Sequence, residues 1–410
     1  MRKIIETYSS REIYPLIFKS LLIVIPLSVA TGLGIAGFLW MLDKVTILQH
    51  RHSWLLFLLP LAGIFIWWIY YQFGERSASG NKLIIEEIHT PGGGVPVAMA
   101  PLVTIGTIIT HLFGGSAGRE GTAVQMAGSF GGFVCNTCKL KPGTTRIVLI
   151  AAISAGFAAV FGTPLTGSIF SLEVLKKGST SYDALIPALV AAFIAHGVCI
   201  AAGIHHTEYG IRPLDHLFEM SILLKTALAG IAFGLAAFLF IQADHGVRKL
   251  SARFITVEWL RPVGGALIII LLCITLGTRD YTGLGVSPSA EGGASIVSAF
   301  SPTGVGYFSW FWKIVFTAIT LGTGFKGGEV TPLFFIGATL GNTLASVGGM
   351  PIDLFAGLGF IAVFAGASKT PLACTMMGIE LFGADNVIYF AVACFIAHYA
   401  SGKRGIYTVK

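Results

Sequence analysis

Charge is what this chain has least of. Only 11% of its 410 residues are Asp, Glu, Lys or Arg, while 54% are hydrophobic. An ordinary soluble domain carries about 25% charged residues, so the balance excludes a water-soluble enzyme and predicts a polytopic membrane protein. At roughly 20 apolar residues per span, the length allows about ten or more helices with short loops. Cysteine is sparse, with six residues. Cys135 and Cys138 form one Cys-x-x-Cys pair. No second Cys or His pair stands at zinc spacing, and the histidines form no ligand set, so no metal and no cofactor is expected. Cys199, Cys273, Cys374 and Cys394 lie in apolar runs and read as small core residues. No Gly-x-x-x-x-Gly-Lys-Ser/Thr loop occurs, which leaves an ion gradient as the energy source. The basic start Met1-Arg2-Lys3 is followed by an apolar run from about Tyr14 to Leu42, too long for the core of a signal peptide. Residues 1–13 therefore read as a cytoplasmic lead-in. The net charge of +7 rests on Lys139, Lys141, Arg146, Lys176, Lys177, Arg248, Lys249 and Arg253, read as loop residues. That pattern anchors a membrane protein and does not point to nucleic acid.

Glycine, by contrast, is abundant at 52 residues. That suits close helix packing and interrupted helices. A Gly-x-Glu-x-Thr pattern occurs twice, as Gly118-Arg119-Glu120-Gly121-Thr122 and Gly327-Gly328-Glu329-Val330-Thr331. Each Glu is followed by a glycine in the same register (Gly128, Gly337). Thr-Pro-Leu recurs at 163–165 and 370–372, each ahead of a glutamate (Glu173, Glu380). The offset stays near ~208 residues, the mark of an internal repeat. The expected organisation is a first membrane half over 14–204, a polar inter-repeat loop over 205–219, and a second half over 220–410. Apolar segments are expected near 15–42, 54–73, 97–113, 122–137, 147–175, 185–204, 220–243, 262–277, 307–321, 332–348, 352–367, 371–383 and 386–400. Several are too short to span a bilayer alone, as half-helices meeting in mid-membrane would be. His205, His206, Glu208, Arg212, Asp215 and His216 read as a solvated loop, and 244–261 as a second polar break.

Three Gly-led stretches read as helix N-termini. Residues 114–122 precede an apolar helix, where backbone N–H groups lack intrahelical partners and bind anions. A Glu placed there satisfies the site itself, or yields it to an incoming anion, or is neutralised by a proton. The plainer reading is a capping carboxylate with Arg119 as a surface anchor. Residues 324–332 repeat the design, with Pro332 at a first-turn position, Thr331 as N-cap and Glu329 as a second carboxylate. The stretch from Ser79 through Gly80 and Asn81 to Glu86 and Glu87 is the third. Its Asn81 amide can donate to an anion or serve as an ordinary cap. Tyr407 reads from its position as an interface anchor, Glu173 and Glu380 as helix-end carboxylates or structural partners, and His111 as a satisfied interior histidine.

From about residue 15 to 407 the chain resembles the CLC family of chloride channels and anion/proton antiporters. Gly118-Arg119-Glu120-Gly121 matches that family's GREG signature, so the resemblance makes Glu120 the gating glutamate. Gly80-Asn81-Lys82-Leu83-Ile84 stands where the family has GSGIP, Gly328-Glu329-Val330-Thr331-Pro332 where it has GxFxP, and Tyr407 where its anion-coordinating tyrosine stands. The departures form a set. Asn81 replaces a serine, Thr122 a proline, and Glu329 with Val330 the usual apolar residue and Phe. Val174 stands where chloride/proton exchangers hold an internal glutamate. This combination resembles the fluoride/proton antiporter branch, CLC-F.

The resemblance implies an all-α fold of two inverted-topology helical repeats with half-spanning helices, in a multi-pass protein of a bacterial inner membrane that pairs as a homodimer. It implies export of fluoride in exchange for protons. Glu120 and Glu329 would gate and couple; Asn81, Gly118, Arg119, Gly121, Thr122, Val330, Thr331 and Tyr407 would line the anion site. Chloride transport by the same fold is the closest rival. An intramembrane enzyme using Glu120 and Glu329 as acid and base is a distant one, because no nucleophile or metal set accompanies them.

Overall fold

The computed structural model describes residues 10–74, 76–175, 182–212 and 219–407. The start of the expected lead-in, Lys176, Lys177, Asp215 and His216 lie outside the described residues. In chain order the helices are α1 Ser10–Arg51, α2 Leu59–Phe73, α3 Asn81–His89, α4 Met99–Leu112, α5 Glu120–Thr137, α6 Pro142–Phe161, α7 Pro164–Glu173, α8 Leu185–Ala201, α9 Met220–Phe254, α10 Leu260–Leu276, α11 Ser309–Gly322, α12 Val330–Gly348, α13 Ile352–Ser368, α14 Pro371–Phe382 and α15 Val387–Ala400. Among the described residues five helices are long and apolar enough to cross a bilayer, and they belong to α1, α2, α6, α9 and α12. The outer faces carry Leu61, Phe65 and Trp68 on α2, Leu224, Leu228 and Leu235 on α9, and, on the shorter α10, Leu267, Leu271 and Ile274. Exposed apolar side chains on a polytopic protein are those that meet lipid.

The core is built on two helices with no polar face. In α6 every residue from Ile147 to Phe161 is buried, and in α13 every residue from Asp353 to Ser368. They occupy matching places in the two halves. The expected run 147–175 is broken after Phe161 because Gly162 takes a left-handed conformation (φ 77°) and Pro164 cannot continue a helix. Its counterpart after α13 is Lys369 (φ 67°), a residue for which that conformation is costly. The Lys369 ammonium donates to Ser401 Oγ and Gly402 O at 2.6 Å each, which holds the bend and the C-terminal loop together. Glycines set the tightest packing. A methyl group at Gly337 of α12 would overlap the backbone of Gly359 on α13, and the reverse also holds.

The halves are inverted, and α7 and α14 show it. Glu173, at the end of α7, accepts from Leu372 N (3.1 Å) and Ala373 N (2.8 Å) at the start of α14. Glu380, near the end of α14, accepts from Leu165 N (2.8 Å), Thr166 N (2.7 Å) and Thr166 Oγ (2.6 Å) at the start of α7. Equivalent helices thus lie antiparallel, each carboxylate capping the other's orphan N–H groups. At 10 and 12 residues these helices are about 15–18 Å long, roughly half the bilayer core of about 30 Å.

One expectation is corrected here and one is refined. The polar break 244–261 is helical as far as Phe254, so Asp244, Arg248, Lys249 and Arg253 ride on α9 and not on a loop. The stretch 203–212 is the loop expected, exposed at His205, Glu208 and Arg212 and half-buried at His206 and Tyr209. The Tyr209 ring lies 5.2 Å from Phe300 and 5.4 Å from Phe360, His206 stacks on His196 at 6.0 Å, and Arg212 donates to buried Asp353 at 3.0 Å. Aromatic and charge-assisted contacts tie this exposed loop to the core.

Candidate functional site

The two Gly-x-Glu-x-Thr loops meet at the centre of the molecule. Gly118 N donates to Gly328 O (2.6 Å) and Gly328 N to Gly118 O (2.8 Å), an antiparallel bridge across the two halves. Only glycine allows this approach. A Cβ on Gly328 would lie 2.6 Å from Gly121 N, and one on Gly118 would lie 2.8 Å from Glu120 Oε2. The bridge sets the N-termini of α5 and α12 against each other. Two partial positive charges then converge on one small volume.

Glu120 fills that volume. It is 1% exposed. Its Oε2 accepts from Thr331 N (3.0 Å) and Arg119 N (3.1 Å), and the Thr331 hydroxyl lies 2.6 and 2.7 Å from its two oxygens. The carboxylate of one half is therefore seated on the helix N-terminus of the other. Thr331 differs from its expected place. α12 starts at Val330 with Glu329 as its N-cap, so Thr331 is the second helical residue. Its N–H and hydroxyl consequently point out of the helix end at Glu120 rather than closing on their own backbone. Asn81 is likewise the first residue of α3, behind Gly80 as N-cap.

The remaining site residues fall around this pair. A Cβ on Gly121 would lie 3.5 Å from Asn81 Nδ2 and 3.8 Å from Glu329 Oε2, so both side chains flank the first turn of α5. Asn81 Oδ1 is buried and has no hydrogen-bond partner among the described residues. Glu329 is half-buried. Val330 is fully buried. Tyr407 packs edge-on to Phe170 at 5.9 Å and is held there by Ile406 N donating to Ala367 O at 2.9 Å. Thr122 points away from the junction, and its hydroxyl lies 2.6 Å from Thr107 Oγ on α4. Arg119 Nε stands 3.8 Å from Glu120 Oε1.

Access comes from one face through Arg119. A cavity of about 380 Å³, lined by Asp43, His50, Arg119, His205 and Thr207, opens at the end of α1. A pocket of about 30 Å³ between Arg119, Glu120, His206, Tyr209 and Thr331 continues it inward. Arg119 borders both, so its guanidinium stands between the outer cavity and the Glu120 carboxylate. Among the described residues no three His, Cys, Asp or Glu side chains gather as a metal site.

Sequence reasoning missed the struts. Ser116 N donates to Thr320 Oγ (3.1 Å), and Ser116 Oγ pairs with Thr317 Oγ (2.9 Å), tying the first loop to α11. The signal was Thr317 and Thr320 standing one turn apart in an apolar run. His111 is the satisfied interior histidine expected, with Nδ1 2.7 Å from Thr107 O and Nε2 3.0 Å from Ala117 O. Glu87 accepts from the N–H groups of Gly92, Gly93 and Gly94 at 2.8 to 3.0 Å and closes a turn far from the junction.

Comparison with known proteins agrees with this architecture. A family model described as "Voltage gated chloride channel" matches residues 62–402. A protein of Pseudomonas syringae pv. tomato described as "Chloride/fluoride channel protein" is 44% identical over 402 residues, covering 97% of this chain and 87% of that protein. The solved structure of a CLC-type fluoride/proton antiporter is 32% identical, with a TM-score of 0.90 over 98% of both chains. A slow cyanobacterial Cl⁻/H⁺ antiporter shares the fold at a TM-score of 0.79 and 19% identity, covering 95% of this chain and 96% of that one. Two inverted halves, a glycine bridge between them and a carboxylate seated on the opposite helix end are thus the form that a member of the voltage gated chloride channel family takes in this chain.

Proposed function

We infer that the chain is a fluoride/proton antiporter of a bacterial inner membrane, with Glu120 as its gate. The observation that carries this reading is the seat of Glu120. Its carboxylate takes the donors that an anion would take, namely Thr331 N at 3.0 Å, the Thr331 hydroxyl and Arg119 N at 3.1 Å. Hydrogen bonds to an ionised group contribute about 1.5–3 kcal/mol each. A proton on Glu120 removes the charge that those donors favour. The side chain then leaves, and an anion takes its place. When the anion leaves, the ionised carboxylate returns. Each cycle thereby moves a proton against an anion.

Fluoride as the anion is supported by the donor set. It is a small, strongly hydrated acceptor, so a site must replace its water with firm donors. An amide at Asn81 in place of a hydroxyl supplies N–H groups, and Thr122 keeps a backbone N–H that proline would lack. The similarity to a protein named for chloride and fluoride and to a fluoride/proton antiporter points the same way. Glu329 acts as the second protonatable group. Chloride is the alternative cargo. A Yersinia pestis protein described as an "H(+)/Cl(-) exchange transporter" is 26% identical over 327 residues. Pairing as a homodimer rests on family resemblance, and chemical cross-linking in membranes would show one chain or two.

The deciding assay loads proteoliposomes with fluoride or chloride and follows anion efflux and pH together. Fluoride efflux with opposing proton movement and little chloride flux is expected. Glu120→Gln, which cannot ionise, should abolish proton movement, and Glu329→Gln should weaken the coupling. Preferential chloride flux in the unmodified protein, or intact coupling in Glu120→Gln, would overturn the assignment.

A further inference from the structure

Four carboxylates among the described residues are buried: Glu87, Glu120, Asp244 and Asp353. Glu87 is held by three glycine N–H groups, Glu120 by Thr331 and Arg119, and Asp353 by Arg212 N and Nε. Asp244 alone of the four is left incomplete. It is 9% exposed, and its Oδ1 is buried with no hydrogen-bond partner. Its Oδ2 has one contact, Arg248 Nη2 at 3.4 Å, on a side chain that is 61% exposed. A mostly exposed partner at that distance does little for a buried charge, and a bare carboxylate oxygen away from water is costly. Such an oxygen is a place to put a proton.

Its surroundings give that proton somewhere to go. Ala237, Ile241 and Asp244 share one face of α9, and all three are buried. The same helix packs on the end of α11, where Ser251 Oγ donates to Gly322 O at 3.1 Å. α9 also packs against α12, the helix that Glu329 caps. Asp244's partner Arg248 lines a cavity of about 740 Å³, together with Tyr70, Ala78, Glu258, Arg261 and Lys326. The cavity wall ends three residues before Glu329. It opens where α2 and α9 finish, whereas the Arg119 cavity opens where α1 finishes and α2 begins. The two cavities therefore face opposite sides of the membrane. The charged groups along this route are Arg248 beside Asp244 on α9, Lys326 in the loop before α12, Glu329 at its start, and Glu258 with Arg261 by the start of α10.

We propose that Asp244 is a further proton-carrying residue of the exchange, passing protons between Glu329 and the 740 Å³ cavity, which is their port on the face opposite Arg119. A proton leaves the Glu329 carboxyl for the bare Asp244 oxygen and moves on to cavity water, and the reverse step loads it. Arg248 positions the carboxyl and marks the cavity mouth.

The proposal rests on the proton-coupled reading above, and one experiment separates the two. Fluoride and proton fluxes are measured together in proteoliposomes for the unmodified protein, Asp244→Asn, Asp244→Glu and Ala78→Trp. Asp244→Asn should cut proton flux about tenfold or more and lower the proton-to-fluoride ratio, which a merely structural role would leave alone. Asp244→Glu should restore the ratio. Ala78→Trp, at an exposed rim position, should slow proton turnover by filling the cavity. Uncoupled fluoride flux in the unmodified protein would remove the underlying reading and the proposal with it. Coupled flux in the unmodified protein, with the same ratio in Asp244→Asn, would overturn Asp244 alone. Should Asp244→Asn fail to yield monodisperse protein, proton turnover in Ala78→Trp equal to the unmodified protein's would overturn the route.

Discussion

Gly328→Ala is the smallest change that tests whether the glycine bridge builds the site. Gly328 is outside the left-handed region, so alanine meets no backbone penalty and the whole effect is steric. The new Cβ would stand 2.6 Å from Gly121 N and 3.3 Å from Glu120 N. Both neighbours are backbone atoms of α5, so no side chain can rotate away. Either the loop retreats and the bridge bonds of 2.6 and 2.8 Å are lost, or α5 shifts. Two net hydrogen bonds amount to about 1–3 kcal/mol, and overpacking adds about 1–3 kcal/mol. The expected cost is about 2–6 kcal/mol of stability. The displaced Glu120 seat should lower fluoride flux by about 100-fold for a shift near 1 Å. Gly197→Ala is the control, because a Cβ there meets nothing within 4 Å on exposed α8. It should be neutral or stabilising by up to about 1 kcal/mol. Thermal unfolding of purified protein, followed by tryptophan fluorescence, and proteoliposome flux are the two readouts. Equal melting and equal flux in Gly328→Ala and Gly197→Ala would refute the bridge as the element that sets the junction.

Two further outcomes follow from the same geometry. Glu380→Gln leaves the α7 N-terminus with a neutral acceptor in place of a carboxylate that binds three donors. It should lower the melting midpoint by an amount equivalent to about 1–2 kcal/mol, and Glu173→Gln should do the same through α14, with ion selectivity unchanged in both. Asn81→Ser exchanges two N–H donors beside Gly121 for one hydroxyl. Fluoride-over-chloride flux ratios should fall while melting stays close to that of the unmodified protein; an unaltered ratio would take Asn81 out of the selectivity argument.

The family resemblance added the all-helical fold, and the membrane class, the duplication and the two carboxylate loops were legible in the linear chain. These depend on local composition and on repeated residues, which a linear reading can see. Gly162-Thr163-Pro164 even carried the α6–α7 break, hidden inside an apolar run because hydrophobicity alone has no punctuation. The positions of Glu173 and Glu380 were legible as a matched pair, but their exchange of caps was not. That requires knowing that α7 and α14 run antiparallel. The same holds at the junction. Thr331 reads as a cap for its own helix, yet its donors serve Glu120, some 211 residues earlier in the chain. Asp244 reads as one charge in a polar break until α9 carries it inside. Tertiary structure alone decided these partners, because a buried donor or acceptor is satisfied by whatever packing brings within about 3 Å, and inverted repeats bring together groups that lie half a chain apart.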